Sequence, residues 1–357
     1  MKAYLILADG QVWEGEAFGA GNDAACELVF NTSMSGYVEV ITDPSYAGQG
    51  LVMTYPLIGN YGMAAADCEA SKPWVSALIV RELSRKASNF RNDTSLEAYL
   101  SYHGVPGIAG LDTRAITRKL RLNGTMNAYI TRNAELTQGE GLAQILEKLK
   151  ENLTKDVVSL VSEETVLYPD GDGPKIALLH YGAKKSIAAK LGRRGARIKY
   201  YRHDAPFERI MEDKPDGVLL SNGPGDPTDC VEAIKTAKAL YDYEIPMMAI
   251  CLGHQILALA NGAKTRKMRW GHRGVNHPVK DLRTGRIAIT AQNHGYVVED
   301  LPENAGISHV NVNDGSIEGI LYKEKKIISV QYHPEAAGGP LDSEYLFDDF
   351  LRMIENA

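Results

Sequence analysis

The second half of the chain alternates short apolar runs with glycine-containing turns and amphipathic stretches. The runs IALL (176–179), GVLL (217–220) and MMAI (247–250) are apolar throughout, which is typical of strands buried on both faces of a parallel sheet. Segments with helical periodicity follow them. The pattern predicts an α/β domain over residues 175–357, with a mostly parallel sheet flanked by helices. Functional groups then belong at the carboxyl ends of its strands.

Residues 1–150 show a different pattern, with strand signals first and helices later. AYLIL and QVWEGEAF flank the dipeptide Asp9-Gly10, which favours the tight turn of a β-hairpin. The segments TRAITRKLRLNG and GLAQILEKLKENL have helical periodicity. We therefore expect a smaller, β-rich mixed domain. Residues 151–174 lose periodicity and accumulate Asp, Gly and Pro, which indicates a linker between the two domains.

Composition narrows the classes of function. The net charge is -6 and there is no long Lys/Arg block, so the chain lacks the electrostatic pattern of nucleic-acid or membrane-surface binding. Its apolar amino-terminal run is too short for a signal peptide, and no apolar run approaches the roughly 18 residues of a membrane span. The cysteines lack disulfide-framework or zinc-cluster spacing: Cys26, Cys68, Cys230 and Cys251. We expect a cytoplasmic protein with small-molecule or protein partners.

Cys251 lies in AICLGHQ, where an apolar strand turns abruptly into a helix. Ala249 and Gly253 stand two residues before and after it. Small residues at these positions let strand and helix approach closely, so that a strained turn can present the side chain at the sheet edge. The helix N-terminus favours negative charge on the sulfur. These features identify Cys251 as a candidate nucleophile, whereas the other three cysteines are interpreted as structural.

A cysteine nucleophile needs a base, and His333 has the most suitable position. It follows the apolar strand KIISVQY and precedes Pro334-Glu335. A histidine at a strand's carboxyl end can meet Cys251 at the same sheet edge, while Glu335 can accept its second ring proton and fix the tautomer. By itself HPE is equally typical of a loop histidine beside a carboxylate. Together with the strained turn it predicts a catalytic arrangement.

Two further segments offer polar groups. SNGPGDP (221–227) follows a buried strand and lacks the Lys-Ser/Thr ending of a nucleotide P-loop. Its N–H groups, with that of Leu252, could stabilise an oxyanion, although a plain tight turn explains the segment equally well. QNHGY (292–296) offers amide and backbone groups for an amino-acid ligand, or forms a polar turn.

The other histidines do not predict a metal site. His272 and His277 occur together in GHRGVNHP, but no acidic or thiolate ligand nearby completes a recognisable set. We therefore expect no bound metal. His254 is interpreted as an incidental decoration of the helix after Cys251.

Three motifs occur in a characteristic order over residues 175–357: SNGPGDP, AICLGHQ and QYHPEA. Through them the chain resembles the class I (triad) glutamine amidotransferases. The segments FNTSMSGYVEVITDPSYAGQ, TYPLIGNYG, GLDTRAITRKLR, GHRGVNHPV and QNHGYVV look like those of the carbamoyl-phosphate synthetase small-subunit family. The likeness covers nearly the whole chain, so it implies a small-subunit N-terminal domain at 1–150 and an amidotransferase domain at 175–357.

The resemblance implies a catalytic triad of Cys251, His333 and Glu335. It also implies contacts to L-glutamine from a larger set of residues: Ser45, Gly223, Gly225, Leu252, Gln255, Asn293, Gly295 and Tyr296. The implied reaction hydrolyses glutamine through a cysteine thioester to glutamate and ammonia. The ammonia passes to a large synthetase subunit that makes carbamoyl phosphate from bicarbonate and ATP. ATP and Mg²⁺ are expected on that subunit, with no cofactor in this chain.

Three positions depart from the family's usual pattern. Ala249 stands where Gly is usual, and His180 and Ser186 stand where Asp and Asn are commoner.

Two alternative functions stay open. A glutaminase component of another synthetase, such as those for anthranilate or GMP, is disfavoured by the N-terminal half. A non-catalytic regulatory or scaffolding subunit is disfavoured by the intact triad. Arginine and pyrimidine synthesis both stay open as destinations of the product.

Overall fold

The computed structural model of the chain describes residues 1–167 and 172–357. It divides into two compact units, Met1–Lys155 and Asp156–Ala357. Within the described residues, no helix is both long and apolar enough to cross a membrane. The segment 151–174, expected to be a linker, contains a short helix and a short strand, and its residues 168–171 lie outside the described residues.

The first unit is built around a closed barrel of seven strands, in the order β1-β2-β8-β6-β4-β3-β9. The strands of the unit, which include β5 and β7 outside the barrel, are β1 Lys2–Leu7, β2 Val12–Gly19, β3 Ala24–Asn31, β4 Gln49–Met53, β5 Leu57–Ile58, β6 Ala77–Ile79, β7 Glu82–Leu83, β8 Pro106–Ala109 and β9 Met126–Thr131. Its helices are α1 Tyr37–Thr42, α2 Leu96–Tyr102, α3 Thr113–Asn123 and α4 Gly139–Lys148, with 3-10 turns at Pro44–Tyr46, Ala65–Asp67 and Ala134–Thr137.

Local sequence signals in this unit are confirmed. Strands β1 and β2 pair antiparallel across Asp9-Gly10, as the turn dipeptide predicts. Helix α3 begins after Asp112, whose side chain accepts the N–H of Ala115, and it ends at Gly124 with φ 94°. Closure of the barrel was not predicted, because it depends on pairs distant in sequence, such as parallel β3–β4 and antiparallel β1–β9.

The second unit contains a ten-stranded sheet in the order β10-β12-β11-β13-β14-β19-β18-β17-β15-β16. Its strands are β10 Val166–Leu167, β11 Lys175–His180, β12 Arg197–Arg202, β13 Gly217–Leu220, β14 Met247–Ile250, β15 Lys264–Asp281, β16 Ile287–Glu299, β17 Ala305–Asn311, β18 Ile317–Tyr322 and β19 Ile327–Val330. Its helices are α5 Val158–Val161, α6 Lys185–Gly192, α7 Phe207–Met211, α8 Val231–Tyr243, α9 Leu252–Ala260 and α10 Tyr345–Glu355, with a 3-10 turn at Pro227–Asp229.

The predicted α/β fold class is confirmed, but the expectation of a mostly parallel sheet holds only for its central part. Strands β12, β11, β13, β14 and β19 pair in parallel, whereas β10 and the strands β15 to β18 pair antiparallel. Alternate residues of the buried strands face opposite sides. Leu220 and Met247 pack in one core with residues of α8 and α9, whereas Leu219 and Met248 pack in the other with residues of α6 and α10. The two apolar faces explain why the central strands are apolar throughout. They also fix the edge at which the strand ends present polar groups.

Candidate active site

Cys251 lies at the junction of β14 and α9 in a strained backbone conformation, with φ 52° and ψ −105°. Positive φ is uncommon for a residue with a side chain and often marks a functional site. The turn is tight, since a Cβ added to Gly253 would lie 2.3 Å from the carbonyl oxygen of Leu220. The N–H of Gly253 donates to the carbonyl of Ser221 at 2.9 Å. The predicted strained turn is therefore present, with the cysteine at the start of a helix.

His333 and Glu335 form a buried hydrogen-bonded pair just after β19. The imidazole Nδ1 lies 2.7 Å from Oε1 of Glu335, and the His333 N–H donates to the carbonyl of Ala291 at 3.0 Å. His333 Nε2 is buried and has no hydrogen-bonding partner in the part of the chain that the structure describes. The carboxylate thus engages Nδ1, which leaves Nε2 available for proton exchange with a neighbouring sulfur.

Lys184 is the residue of this site that sequence reasoning missed. Its Nζ lies 2.7 Å from Oε1 of Glu335, and both side chains are buried. It is the N-cap residue of α6, at the edge where β11 ends. Its position just after an apolar strand could have indicated from the sequence that a basic residue lies near the site. The sequence could not favour Lys184 over the exposed Lys185, because only the fold shows which one is buried.

Electrostatic coupling links these groups. Burial would raise the pKa of the Glu335 carboxyl, but Lys184 and His333 together hold it well below its usual range. Burial and the Lys184 ammonium lower the pKa of His333, yet Glu335 and the Cys251 sulfur outweigh them and raise it above the ordinary histidine value. The arrangement therefore favours an imidazolium beside the sulfur at neutral pH, as a thiolate–imidazolium pair requires.

Several residues expected to contact glutamine contact Cys251 or one another. The Cys251 thiol contacts the backbone carbonyl of Asn293, with Sγ···O 3.7 Å. Gln255 Nε2 donates to the carbonyl of Tyr296 at 2.8 Å. A Cβ added to Gly223 would lie 2.8 Å from the Leu252 side chain. QNHGY lies within β16, so the alternative interpretation of this segment as a polar turn is wrong.

The other residues expected to contact glutamine include Gly295, Gly225 and Ser45. Gly295 lies in β16, and Gly225 belongs to the loop after β13, with φ 87°. Gly225 also lines a small cavity of about 120 Å³ together with Asp226 and Cys230. Ser45 lies in the first unit, where it is buried and its N–H donates to Oδ1 of Asp43 at 2.9 Å. The contribution of Ser45 to glutamine binding stays a prediction.

Two other histidines have structural roles. His254 is fully buried, with Nδ1 2.8 Å from the Ser329 hydroxyl, and burial lowers its pKa to about 3. Its interpretation as an incidental helix decoration was wrong, because α9 is covered on this face. At His180, burial lowers the pKa to about 4, and Nδ1 accepts the N–H groups of Gly182 and Ala183. The neutral imidazole of His180 thereby accepts the hydrogen bonds that an aspartate oxygen could accept at this position.

The fold gathers acidic groups around His272 that sequence spacing did not reveal. His272 Nε2 lies 2.8 Å from Oδ2 of Asp314, and its Nδ1 lies 3.4 Å from Oε1 of Glu318. Potential ligand atoms of His272, His294 and Glu318 lie within 4.8 Å of one another. Both His294 nitrogens, however, contact protein oxygens, on Gln292 and Tyr296. These contacts favour an ion-pair and hydrogen-bond network over metal binding.

Curated relatives match nearly the whole length of the chain. Residues 177–353 match the model of the class-I glutamine amidotransferase family, and residues 5–130 match the CPSase domain of the carbamoyl-phosphate synthase small chain. The chain is 48% identical to the carbamoyl phosphate synthase small chain of Clostridium perfringens, with 99% of each chain covered. It is 46% identical to that of Caldanaerobacter subterraneus subsp. tengcongensis, covering 99% of this chain and 97% of the relative. A glutamine amidotransferase structure from Thermotoga maritima aligns with 18% identity and TM-score 0.40, covering 52% of this chain and 99% of that one.

Proposed function

Because the chain belongs to the carbamoyl phosphate synthase small-chain family and is a glutamine amidotransferase, we propose that it cleaves L-glutamine through a Cys251 thioester and supplies the ammonia to a large synthetase subunit. The observation that carries this proposal is the buried His333–Glu335 pair, in which Glu335 engages Nδ1 and leaves Nε2 without a partner among the described residues, while the Cys251 sulfur raises the pKa of His333. Such an arrangement suits nucleophilic attack on an amide. A cytoplasmic location, as expected from the sequence, is part of the proposal.

The first half of the reaction breaks the amide bond. The Cys251 thiolate attacks the side-chain carbonyl carbon of glutamine, and the carbonyl electrons move to oxygen. Backbone N–H groups of Leu252 and Gly225 stabilise this oxyanion, since helix starts and tight loops present unpaired donors. The His333 imidazolium gives its proton to the departing nitrogen. Ammonia leaves, and the carbonyl re-forms as a thioester on Cys251.

The second half releases glutamate. Neutral His333 takes a proton from water, and the resulting hydroxide attacks the thioester carbon. Collapse of the tetrahedral intermediate expels the Cys251 thiolate and restores the thiolate–imidazolium pair. Glu335 stabilises the imidazolium throughout, and Lys184 keeps that carboxylate ionised. The net reaction consumes one water and yields glutamate and ammonia.

Substrate selection depends on the proposed contacts around the amino-acid end of glutamine. We assign these to Gly223, Gln255, Asn293, Gly295 and Tyr296 in the second unit and to Ser45 in the first. The large subunit would use the ammonia with ATP, Mg²⁺ and bicarbonate to form carbamoyl phosphate. The relatives from Clostridium perfringens and Caldanaerobacter subterraneus are small chains of this synthase, which supports the existence of that partner.

A reconstituted assay with the large subunit tests the proposal. Cys251→Ala should abolish carbamoyl phosphate synthesis from glutamine but leave synthesis from added ammonia, because only amide cleavage requires the sulfur. Cys230→Ala is the matched control, since that cysteine is buried in the core beside α8, and it should retain glutamine-dependent synthesis. Glutamine-dependent synthesis by Cys251→Ala would contradict the proposal.

A further inference from the structure

The direction of the Gln255 side-chain amide is fixed by two hydrogen bonds. Gln255 is buried, and its Nε2 donates to the backbone carbonyl of Tyr296 at 2.8 Å and to Oε1 of Gln331 at 2.9 Å. A backbone carbonyl can only accept a hydrogen bond, so the nitrogen of this amide must face Tyr296. Both N–H groups of the amide are then used. Its Oε1 receives no hydrogen bond from the described residues and can accept one from a bound molecule.

Gln331 is the residue that completes this arrangement. It directly follows β19, is fully buried, and its backbone N–H donates to the carbonyl of Glu318 at 2.9 Å. Its Oε1 accepts from Gln255, and its Nε2 is buried without a partner among the described residues. Burying a donor that has no partner destabilises a folded protein. An apolar side chain of similar size would avoid this cost, which indicates that the Gln331 amide is needed by Gln255.

Gln255 lies at a suitable distance from Cys251 to bind the far end of a glutamine molecule. Side chains four residues apart in a helix have Cβ atoms about 5–6 Å from each other. Both residues contact backbone carbonyls of one β16 segment, Cys251 Sγ at Asn293 and Gln255 Nε2 at Tyr296. In glutamine, four bonds of about 1.5 Å connect the side-chain carbonyl carbon to the α-nitrogen, a span of about 5 Å. A glutamine whose amide lies at Cys251 can therefore place its α-ammonium beside Gln255.

We propose that Gln331 is a positioning residue for substrate selection, which holds the Gln255 amide so that its Oε1 accepts from the α-ammonium of L-glutamine. The inference rests on the proposed function for the identity of the substrate. Without the Gln331 oxygen, the Gln255 amide keeps only its bond to Tyr296, so Oε1 is no longer held in one direction. Hydrogen bonds to a charged group are stronger than neutral ones, and an acceptor that is already ordered binds more tightly.

The test measures glutamate release by the small chain reconstituted with its large subunit. Gln331→Met keeps the length of the side chain but removes the acceptor. We expect it to raise KM for L-glutamine about 10- to 100-fold, as for a lost hydrogen bond to a charged group. The value of kcat should change less than about twofold, because the interaction is made equally in the ground state and the transition state.

A substrate analogue and a remote variant control for general packing effects. The Ki of glutaramate, which lacks the α-amino group of glutamine, should stay near its wild-type value in Gln331→Met because the analogue has no ammonium to bind. Thr236→Val removes a buried hydrogen bond to the Ala205 carbonyl on α8. It should leave KM and Ki unchanged.

A double-mutant cycle shows whether Gln331 acts through Gln255. Gln331→Met should raise KM far less in a Gln255→Met background than in the wild type. Gln331→Glu keeps an oxygen that can accept from Gln255, so its KM should stay closer to the wild-type value than that of Gln331→Met.

Four results would overturn the proposal: an unchanged KM in Gln331→Met, a parallel rise of KM and of the glutaramate Ki, equal effects of Gln331→Met in both backgrounds, or a KM for Gln331→Glu as high as that of Gln331→Met. Absence of glutamate release by the wild-type complex would instead contradict the proposed function, so the two failures are distinguishable.

Discussion

The Nζ atom of Lys184 lies 2.7 Å from Oε1 of Glu335, with both side chains buried. The same oxygen also contacts Nδ1 of His333 at 2.7 Å. One carboxylate therefore balances two cationic groups where water is excluded. Lys184 makes ionisation of Glu335 favourable, and Glu335 in turn favours the protonated imidazole.

This relationship predicts opposite pH shifts from two substitutions. Glu335→Gln removes the charge that raises the pKa of His333, so the alkaline limb of kcat/KM for glutamine hydrolysis should move to lower pH. Lys184→Met removes a charge that lowers the same pKa, so the limb should move to higher pH. Initial rates between pH 6 and 10, about the range over which a perturbed histidine titrates, check both. Shifts in the same direction would contradict the coupling.

The same relationship predicts a large effect on stability. Glu335→Ala leaves two buried cationic groups without their carboxylate, and breaking a buried ion pair costs about 3–5 kcal/mol. Lys184→Met/Glu335→Ala should recover part of this loss, because it removes one uncompensated charge. Urea unfolding at pH 7 measures both. A loss below about 1 kcal/mol in Glu335→Ala, typical of an exposed ion pair, would show that the carboxylate is not buried in solution.

The lowered pKa of Glu335 predicts that the free energy of unfolding decreases as the pH falls. The pKa of Glu335 is lowered in the folded protein, so its contribution to stability is present at neutral pH. That contribution is lost as the pH falls from the ordinary glutamate value through the folded pKa. The wild-type protein should therefore lose more stability on acidification than Glu335→Gln.

Much of the arrangement proposed to be catalytic could be predicted from local sequence. A small residue on either side of Cys251 indicated the strained turn, and an apolar strand before His333 placed its imidazole at the same sheet edge. The central strands were recognisable because burial on both faces requires apolar residues throughout. These features depend on residues that are near neighbours in sequence.

Other features depend on contacts between distant segments. Lys184 and Glu335 are far apart in the chain, and nothing local distinguishes Lys184 from Lys185. Burial of His254 depends on Ser329 in β19. Likewise, QNHGY contains polar residues that favour turns, but pairing of β16 with β15 holds it as strand. Tertiary contacts overrode local propensity in each case.

The strained turn at Cys251 predicts strong sensitivity at Gly253. Its added Cβ would lie 2.3 Å from the Leu220 carbonyl oxygen, so Gly253→Ala must displace strand or helix and should cost about 1–3 kcal/mol. Displacement of the sulfur should slow glutamine hydrolysis about 10- to 100-fold. Gly306→Ala is the control, because its Cβ meets open space. Equal effects of the two substitutions on rate would contradict the strained-turn account.

Ser45 tests whether the first unit contributes to glutamine binding. Loss of one neutral hydrogen bond costs about 0.5–1.5 kcal/mol, so Ser45→Ala should raise KM for glutamine roughly threefold to tenfold. Ammonia-dependent synthesis and melting temperature should stay nearly unchanged, and Ser35→Ala provides a control at an exposed serine. A lower melting temperature with unaltered KM would assign Ser45 a structural role.

Trapping the thioester tests the central claim most directly. Wild-type small chain is mixed with glutamine labelled in its carbon chain, quenched in acid within the first turnover, and digested for mass spectrometry. The account predicts a glutamyl adduct on the peptide that contains Cys251, absent in Cys251→Ala and retained in Cys230→Ala. Glutamate formation without any adduct at Cys251, or an undiminished adduct in Cys251→Ala, would contradict it.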